Sequence, residues 1–500
     1  MATATPVSEA TICPNYVGGK WVESRSARKV ERRNPANLRD LIGYTPVSTR
    51  EEMREAIAAA ERAYPGWRDT PAPKRGKILL QAARLLEERK DEVARLLTRE
   101  EGKTVAESLG ELTRTINIVE YISGEARRLG GETLPSELPK NFAYTIRQPL
   151  GVVGLITPWN FPVAVPVWKI APALVCGNTV VWKPAGLTPF VSRRVVEIFA
   201  AAGVPAGVLN LVQGSGAEVG DELVEHPAVR AISFTGSNEV GQGINAKAAR
   251  QLKKVQLEMG GKNPVVVLED ADLELAADNI ISGAFGSTGQ RCTATSRLVV
   301  VESVADALVG LLVERARKLK VGDGAEPDTF VGPSVDASQC EKVEEYLEIG
   351  KSEARLSFGG ERLHGGSYDH GYFIAPTIFD HVPVTARLAQ EEIFGPVLSV
   401  TRVKDFEEAI DAANNVRYGL TASVFTRDAN RVFQAADRLE VGMVHVNSPT
   451  VGGEAHVPFG GIKATGFGER EVGSTAIDFY SELKVVYVDY TGRKREGKLY

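Results

Sequence analysis

The sequence predicts an α/β protein with two parallel-sheet domains, and three observations support this prediction. Its 500 residues are enough for roughly two to four domains of about 150 residues each. Residues 50–128 carry apolar side chains three and four positions apart, a spacing typical of surface helices. After residue 150, short β-rich runs alternate with amphipathic segments, which is typical of a parallel sheet.

The β-rich runs form two series. The first comprises GVVGLITP, GNTVVWKP, GVLNLVQG and AVRAISFTG. The second starts with NPVVVLED at 263–270 and continues through RLVVVES, AIDAANNVRYGLTASVF and GMVHVNS. We therefore expect two α/β halves that meet near residues 259–262. The final run, KVVYVDY, alternates like a strand but stands apart from the others, and such a strand needs a partner edge.

Composition excludes several classes of function. Hydrophobic residues make up 43% of the chain, charged residues 25%, and the net charge is −5, so no overall basic field exists to hold nucleic acid or an anionic membrane. The beginning of the chain lacks the pattern of an export signal, and no run of about 18 apolar residues occurs, so we expect a cytoplasmic protein. The four cysteines and six histidines are scattered without metal-ligand spacing, and we expect no metal site.

Cys292 is the candidate nucleophile. It lies in GQRCTATSR (289–297), where small neighbours leave a thiol accessible and Arg291 adds positive charge that favours the reactive thiolate. A cysteine taken without context is more often a small buried hydrophobe. Cys13, Cys176 and Cys340 keep that interpretation.

Two further segments place polar side chains at the ends of β-like runs. Glu258 of VQLEMGGKNP precedes two glycines, and ligands of open α/β sheets gather beyond the carboxyl ends of strands, so this carboxylate is a candidate base. Asn160 of TPWNFP lies between aromatic residues and is a candidate donor to an oxyanion. The structural alternatives are a solvated acid and an Asx-turn residue.

A glycine-bearing turn is the fourth candidate. SFTGSNEVG (233–241) enters a helix through Gly236 and Gly241, where glycine lets a dinucleotide pyrophosphate approach the helix N-terminus. The spacing is GxxxxG and not GxGxxG, so the pattern is weak when taken alone.

Seven motifs in one order resemble the aldehyde dehydrogenase superfamily over residues of about 17–490: TPWNFP, VVWKPA, FTGS, LEMGGKNP, GQRC, EEIFGPV and PFGGIKATGFGERE. The resemblance implies two Rossmann-type parallel-sheet domains and a small β oligomerisation segment. The ranges expected are 1–130 and 151–259 for the dinucleotide-binding domain, 260–470 for the catalytic domain, and 131–150 with 471–500 for the oligomerisation segment. A homodimer or homotetramer is expected.

The resemblance also implies the residues of the site. The nucleophile falls on Cys292, the general base on Glu258 and the oxyanion donor on Asn160. The cofactor positions fall on Thr157, Pro158, Trp159, Lys183, Gly186, Gly236, Ser237, Gly241, Glu392 and Phe394. Phe161, Trp168 and Phe459 are expected as apolar walls of the substrate pocket. In the implied reaction a Cys292 thioester forms after hydride transfer to a nicotinamide, and Glu258 activates the water that hydrolyses it.

One departure from the family bears on the cofactor. The family often has an acid three residues after the KPA lysine, where this chain has Gly186. A carboxylate there accepts from a ribose 2′-hydroxyl and repels a 2′-phosphate. Its absence, with Lys183 and with Arg193 or Arg194 nearby, favours NADP, with NAD also usable; alternatively, Gly186 only shapes a turn and the arginines are solvated. Thr465 stands where serine is usual, and we expect no consequence.

Two arginines indicate an acidic aldehyde as substrate. Arg291 adjoins the nucleophile, and Arg114 lies on the predicted helix GELTRTINIVEYISGEA; guanidinium groups form bidentate pairs with carboxylates. Within the superfamily, GQRCTATSR, KPAG and the tail DYTGRKREGKLY look most like dehydrogenases of α-ketoglutaric semialdehyde (2,5-dioxopentanoate).

Three alternatives remain open. In the first, the substrate is either succinic semialdehyde or glyceraldehyde 3-phosphate, the latter being oxidised without phosphorylation. Transfer of the acyl group to coenzyme A is disfavoured because enzymes of that type lack a base where Glu258 stands. In a different class, the chain is a catalytically retired structural or dinucleotide-binding relative.

Overall fold

The computed structural model describes residues 11–495. The predicted domain ranges therefore extend beyond the described residues at both ends, by residues 1–10 and 496–500. The second of these stretches is the end of the DYTGRKREGKLY tail. The strands are β1 (Asn15–Val17), β2 (Lys20–Val22), β3 (Lys29–Asn34), β4 (Asn37–Pro46), β5 (Thr133–Leu134), β6 (Asn141–Pro149), β7 (Val152–Ile156), β8 (Thr179–Lys183), β9 (Leu209–Leu211), β10 (Val229–Thr235), β11 (Lys254–Glu258), β12 (Asn263–Val267), β13 (Thr295–Val301), β14 (Arg355–Phe358), β15 (Thr377–Asp380), β16 (Val397–Val403), β17 (Tyr418–Gly419), β18 (Thr421–Phe425), β19 (Met443–Val446), β20 (Ile462–Lys463), β21 (Gly466–Phe467) and β22 (Ser481–Asp489).

The α-helices are α1 (Arg50–Arg68), α2 (Ala72–Glu88), α3 (Lys90–Glu101), α4 (Val105–Glu125), α5 (Ala164–Cys176), α6 (Pro189–Ala201), α7 (Asp221–Glu225), α8 (Asn238–Ala249), α9 (Leu273–Phe285), α10 (Glu302–Ala316), α11 (Ala337–Glu353), α12 (Arg387–Gln390), α13 (Phe406–Asn414), α14 (Ala429–Arg438) and α15 (Ala476–Phe479). A π-helical turn spans Gly216–Gly220, and 3₁₀ turns span Gly286–Gly289 and Gly366–His370. Within residues 11–495, no helix has both the length and the apolar composition needed to cross a membrane.

The helical region predicted near the start of the chain forms α1 to α4. Capping boxes begin two of these helices: Thr49 pairs with Glu52, and Thr104 pairs with Glu107, so two backbone N–H groups at each start are satisfied. The apolar faces of α2, α3 and α4 pack in one core with α5 and strands β7 and β8. The long helix α4 is thereby fixed against the strands that lead to the site.

The first predicted α/β series forms an eight-stranded sheet in the order β2-β1-β9-β8-β7-β10-β11-β21. Its five central strands, β7 to β11, are parallel, and antiparallel strands close both edges. The parallel sheet predicted from the alternation is confirmed. Because parallel strands share a direction, the loops after β7, β10 and β11 emerge at one edge.

The second series forms a seven-stranded sheet in the order β14-β15-β16-β13-β12-β18-β19. Its pairs are parallel apart from the antiparallel edge pair β14–β15. The chain passes from the first sheet to the second between Glu258, the last residue of β11, and Asn263, the first residue of β12. This α/β fold with two parallel sheets agrees with the predicted fold class.

The last strand does find a partner edge. β22 pairs antiparallel with β6 in continuous register from Ser481↔Pro149 to Asp489↔Asn141, and β5 completes a three-stranded sheet. Several large apolar side chains of this small sheet are exposed, among them Leu483, Val485 and Tyr487.

Candidate active site

A cavity of about 400 Å³ collects most of the predicted site residues. The loops after β7, β10 and β11 and the segment before β13 contribute to its walls. Its lining includes Arg114, Pro158, Trp159, Asn160, Phe161, Trp168, Gly236, Ser237, Glu258, Arg291, Cys292, Glu392, Phe394 and Phe459. The cavity therefore contains the predicted nucleophile, base and oxyanion donor together with residues of both the predicted cofactor site and the predicted substrate site.

A strained turn leads into Cys292. Ser287, Thr288 and Gly289 have consecutive positive φ angles of 49°, 59° and 67°, a conformation that costs free energy for residues with a side chain. Gly289 tolerates no side chain, because a Cβ there would collide with the carbonyl of Gly395. Asn263 fixes the far side of the segment, since its Nδ2 donates to the carbonyl of Cys292 at 2.7 Å.

The Cys292 thiol is protonated in this arrangement. Burial is the main cause that raises its pKa to about 12; the charges of Glu258 and Glu392 act in the same direction, and the charge of Arg114 and the backbone N–H of Thr293 oppose them. Since the thiolate is the nucleophilic form, the thiol proton has to be transferred to a base as the sulfur attacks.

Asn160 presents a side-chain amide to the cavity. Its side chain is largely buried, and Nδ2 donates to the carbonyl of Gln290 at 3.0 Å. An amide nitrogen carries two hydrogens, so one remains for an acceptor in the cavity. The bond to Gln290 places this donor next to the segment that bears Cys292.

Glu258 is the last residue of β11, and two glycine residues lie against its carboxylate. Its Oε2 accepts from the backbone N–H of Gly461 at 3.3 Å, and a Cβ at Gly460 would collide with its Oε1. Burial is the main cause that raises the pKa of Glu258 well above 4.5, and the negative charge of Glu471 adds to it. The carboxyl therefore exchanges protons at a higher pH than a solvated glutamate does.

A buried network lies behind Glu258. Lys169 forms an ion pair with Glu471 and donates to Ser233 Oγ at 2.8 Å, and Ser233 donates to Gln256 Oε1 at 2.8 Å. The charge of Lys169 lowers the pKa of Glu258 while that of Glu471 raises it. Two opposite buried charges thus modify the acidity of the predicted base, whose pKa is raised mainly by burial.

Arg114 has unsatisfied donors at the cavity wall. Its Nε and Nη2 are buried and have no hydrogen-bond partner within the described part of the chain. The guanidinium carbon lies 5.3 Å from the ring centroid of Trp168 and 5.7 Å from that of Phe459. Buried donors without partners are costly, so the arrangement is suited to an anionic ligand.

Arg291 differs from Arg114 in this respect. It lines the cavity, but Nη2 pairs with Glu107 Oε1 at 3.1 Å and Nε donates to Ser287 Oγ at 2.9 Å. Glu107 Oε1 also accepts from the backbone N–H of Ser287. Arg291 and Glu107 therefore hold the strained turn, and a carboxylate partner already offsets the charge of Arg291.

The predicted nicotinamide side of the cavity has a suitable set of groups. Glu392 Oε1 accepts from the N–H of Gly261 at 2.9 Å, which leaves Oε2 as an acceptor for hydroxyl groups. Phe394 has a φ of 62°, and its ring meets Trp159 edge-on with centroids 5.5 Å apart. Gln339 Nε2 donates to the carbonyl of Phe394 at 2.9 Å and so supports that strained residue.

The glycine turn before α8 also fits the predicted anion site. Ser237 is the N-cap of α8, and Thr235 Oγ1, one of the cavity-lining groups, is buried without a partner within residues 11–495. Gly241 has a packing role in addition, because a Cβ there would lie 2.5 Å from Met259 Sδ. The helix N-terminus and the unsatisfied hydroxyl are donors of the kind that bind phosphate.

Four predicted cofactor residues lie outside this lining: Thr157, Lys183, Gly186 and Gly241. Thr157 Oγ1 accepts from Trp182 Nε1 at 2.8 Å. Lys183 is buried, donates to the Pro184 carbonyl, and has a pKa lowered to about 8 by burial. It faces the π-helical turn, since a Cβ at Gly220 would lie 3.7 Å from its Cδ.

The arginines invoked for NADP are already paired. Arg193 and Arg194 both contact Glu197, at 2.7 Å and 2.5 Å, and Arg194 also contacts Glu92 at 3.2 Å. Their charges are offset, which weakens that part of the argument for a 2′-phosphate. At Gly186 a Cβ would meet no heavy atom within 4 Å, so the space beside this residue is open.

Sequence reasoning missed several residues that support the site. The sequence shows Glu107 as the last residue of a Thr-x-x-Glu capping box. It does not show that Glu107 contacts the turn before Cys292. Asn263 and Glu471 belong to the quoted motifs LEMGGKNP and GFGERE, yet nothing in the sequence shows which groups they bind. Lys103 and Glu111 carried no recognised signal.

Comparisons with known proteins agree with this architecture. The model of the aldehyde dehydrogenase family matches residues 21–486. The α-ketoglutaric semialdehyde dehydrogenase of Bacillus subtilis (strain 168) is 45% identical over 483 residues, covering 96% of this chain and 99% of that protein.

Solved structures are similar over almost their whole length. The betaine aldehyde dehydrogenase of Staphylococcus aureus in complex with NAD+ has a TM-score of 0.94 at 36% identity, covering 96% of this chain and 95% of that one. An NADP-dependent enzyme of E. coli has a TM-score of 0.92 at 38% identity, covering 95% and 98%.

Proposed function

The chain belongs to the aldehyde dehydrogenase family, and we propose that it oxidises an acidic semialdehyde, α-ketoglutaric semialdehyde above others, to the carboxylic acid with NADP or NAD. The observation that carries the substrate class is the buried Arg114, whose Nε and Nη2 have no partner within residues 11–495 and which lines the same cavity as Cys292. The relative from B. subtilis bears the name of this same activity.

The first step is attack by Cys292 on the aldehyde carbon. A carbon–sulfur bond forms while the thiol proton passes to Glu258, the buried carboxylate whose charge acts on the thiol. The carbonyl oxygen becomes an alkoxide, which accepts from the second amide hydrogen of Asn160 and from the N–H of Cys292. Donors of this kind are worth about 3–4 kcal/mol each at the transition state.

A nicotinamide dinucleotide fits the groups at the other end of the cavity. Glu392 offers a free carboxylate oxygen, Ser237 begins α8, and Trp159 and Phe394 provide apolar faces. When bound, the nicotinamide supplies the acceptor for the hydride that leaves the alkoxide carbon. The substrate carbon is thereby oxidised by two electrons and remains bound to Cys292 as a thioester.

Hydrolysis of the thioester is assigned to Glu258. Once it has released its first proton, the carboxylate takes a proton from water as the water oxygen attacks the acyl carbon. The carbon–sulfur bond breaks, Cys292 regains a proton, and the acid leaves. The charges of Lys169 and Glu471, which are paired behind Glu258, act on its acidity in opposite directions in both proton transfers.

The cofactor preference rests on a small set of groups. The open space at Gly186 and the charge of Lys183 favour a 2′-phosphate, while Arg193 and Arg194 are paired with Glu197. We propose that NADP is preferred and NAD is also used. We propose residues 1–130 and 151–259, which supply every strand of the first sheet except β21, as the dinucleotide-binding domain, and residues 260–470 as the catalytic domain.

We also propose that the chain assembles as a homodimer or homotetramer through residues 131–150 and 471–500. Leu483, Val485 and Tyr487 of β22 are 60%, 51% and 70% exposed. Contiguous exposed apolar side chains on one small sheet are typical of an interaction surface.

The proposed substrate class is tested by Arg114→Met assayed on a panel of aldehydes with each cofactor. The panel contains α-ketoglutaric semialdehyde, succinic semialdehyde, glyceraldehyde 3-phosphate and pentanal. We expect the variant to lose about 100-fold in kcat/KM on the acidic aldehydes, equivalent to ~2.7 kcal/mol. On pentanal the change stays within about threefold, because that substrate makes no ion pair.

Arg291→Met is the matched control. Since Arg291 is paired with Glu107 and holds the turn before Cys292, its loss lowers kcat on every aldehyde by a similar factor. Equal efficiency of the wild-type protein on pentanal and on α-ketoglutaric semialdehyde would contradict the proposed substrate class. Release of product only when coenzyme A is present would contradict hydrolysis.

A further inference from the structure

A buried ion pair lies beneath the loop that carries Asn160. Lys103 and Glu111 have almost fully buried side chains, with Lys103 Nζ 2.8 Å from Glu111 Oε2. Lys103 Nζ also donates to the main-chain carbonyl of Asn160 and lies 4.1 Å from the ring centroid of Phe161. One ammonium group therefore touches two consecutive residues of the cavity wall.

Glu111 holds the other end of the same loop. Its Oε1 accepts from the backbone N–H groups of Val163 at 2.8 Å and Ala164 at 3.0 Å, where α5 begins. A carboxylate at this position satisfies orphan N–H groups and interacts favourably with the helix dipole. The loop from Asn160 to Ala164 is thus held at both ends by one ion pair.

The amide of Asn160 consequently has two independent anchors. Its side chain donates to Gln290, and its main chain is held by Lys103. Donors to an oxyanion work only within a narrow range, about 2.7–3.1 Å from the developing charge, and a displacement of about 1 Å costs on the order of 100-fold in rate. Burying two charges also carries a large desolvation penalty, so stability alone does not account for this pair.

We propose that Lys103 is a positioning residue for aldehyde oxidation, which fixes the main chain of Asn160 so that its side-chain amide meets the oxyanion. Lys103 does not line the cavity and acts only through Asn160. The inference rests on the proposed function, in which Asn160 is the oxyanion donor.

A double-mutant cycle with Lys103→Met and Asn160→Ala tests this proposal. We expect Lys103→Met to lower kcat about 30-fold and Asn160→Ala to lower it at least 100-fold. In the Asn160→Ala background, Lys103→Met then changes kcat less than about threefold, because the donor that it positions is already gone. KM for the aldehyde and Kd for the cofactor stay within about threefold of the wild-type values.

Alkylation of Cys292 by iodoacetamide provides a second measurement. This reaction forms no oxyanion, so its rate in Lys103→Met equals that of the wild-type protein unless the nucleophile segment itself is disturbed. Lys103→Arg, which keeps the charge and the donors, restores most of kcat.

Lys253→Met is the matched control. Lys253 is also a buried lysine that donates to main-chain carbonyls, those of Val224 and His226 at 2.6 Å each, but it is not part of the cavity lining. Its loss lowers Tm and leaves kcat unchanged in both backgrounds.

The outcomes separate the two proposals. If Asn160→Ala keeps the wild-type kcat, the oxyanion role of Asn160 is wrong, and the role of Lys103 is wrong with it. If Asn160→Ala is impaired but Lys103→Met lowers kcat by the same factor in both backgrounds, only the proposal for Lys103 is overturned. If Lys103→Met does not fold, Glu111→Gln, which retains the shape of the side chain, is analysed in the same cycle, and additive effects again overturn the proposal.

Discussion

The side-chain amide of Asn263 donates to the main-chain carbonyl of Cys292 at 2.7 Å. The same nitrogen donates to the carbonyl of Ala294 at 2.9 Å. Asn263 is the first residue of β12, and it pairs with Thr295 at the start of β13. The segment that bears the proposed nucleophile is therefore fixed to the second sheet by a side chain as well as by the chain connection.

Asn263→Ala removes this fixation. Two buried carbonyls lose a donor, at a cost of about 1–3 kcal/mol for each, so Tm falls, and we expect kcat to fall about tenfold as Cys292 loses its fixed position. The displacement of Cys292 is measured by its rate of alkylation and by steady-state kinetics.

Asn210→Ala serves as the matched control for this prediction. Asn210 is also buried and donates to the carbonyls of Val180 and Gly207 at 3.3 Å and 2.7 Å, but it lies in β9 and is not part of the cavity lining. We expect Asn210→Ala to lower Tm without altering the rate of Cys292 alkylation. Identical kinetics in the two variants would rule out a role of Asn263 in placing Cys292.

The pH dependence of turnover reports on Glu258. Only its ionised form accepts a proton from water, and burial together with Glu471 raises its pKa above 4.5, so kcat is lost as the pH falls through that raised value. Glu471→Gln removes a like charge, lowers the pKa of Glu258, and shifts the acid limb of the kcat profile to lower pH. Lys169→Met removes a favourable charge and shifts it to higher pH.

Glu454→Gln, at an exposed surface position, is the control for the pH profiles and leaves the acid limb in place. Shifts in the same direction for Glu471→Gln and Lys169→Met would show that the acid limb does not belong to Glu258.

Gly186→Glu tests the basis of cofactor choice. A side chain fits there because no heavy atom lies within 4 Å of the added Cβ, and a carboxylate repels a 2′-phosphate while accepting from a ribose hydroxyl. We expect KM for NADP to rise at least tenfold while KM for NAD stays constant or falls. Gly310→Glu, on the exposed side of α10, changes neither constant. An unchanged ratio of the two KM values in Gly186→Glu would place the cofactor ribose elsewhere.

Leu483→Lys with Val485→Lys tests the assembly. Both side chains are exposed on β22, and two charges on an apolar contact surface oppose its burial. Light scattering is expected to give a multiple of 53.9 kDa for the wild-type protein and the mass of one chain for the double variant. Leu252→Lys, at a position 94% exposed, leaves the mass unchanged. A wild-type protein that already has the mass of one chain would contradict the proposal.

The sequence predicted those features that are local in the chain. Apolar runs such as GVVGLITP predicted both sheets, because burial on two faces of a parallel strand leaves a continuous apolar pattern. Asn160 and Glu258 were predicted because they follow such apolar runs, and ligands of open α/β sheets gather beyond the carboxyl ends of strands. The pairing of Arg193 and Arg194 with Glu197 is also local, since the spacings are four and three residues along a helix, and the sequence alone is therefore sufficient to predict it.

Contacts between distant segments could not be predicted. Glu107 holds a turn that lies 180 residues further along the chain, and Arg291 is paired for that reason although its sequence position favoured a free cation. Arg114 and Arg291 looked alike in sequence. They differ because Arg291 pairs with Glu107, whereas Arg114 forms no ion pair within residues 11–495. This difference is a property of the packing between α4 and the segment before β13.

The central claim is a covalent acyl intermediate on Cys292, and mass spectrometry of the rapidly quenched Glu258→Gln variant tests it most directly. Glu258 is the proposed proton acceptor in both steps, but a thiol is far more acidic than water, so loss of this base slows hydrolysis more than it slows the attack by Cys292. After mixing with NADP and α-ketoglutaric semialdehyde, we predict that the tryptic peptide 292–297 gains the mass of the acyl group, and that Cys292→Ala shows no such gain. Turnover without any added mass on this peptide would contradict the account. Added mass on a different peptide would contradict it as well.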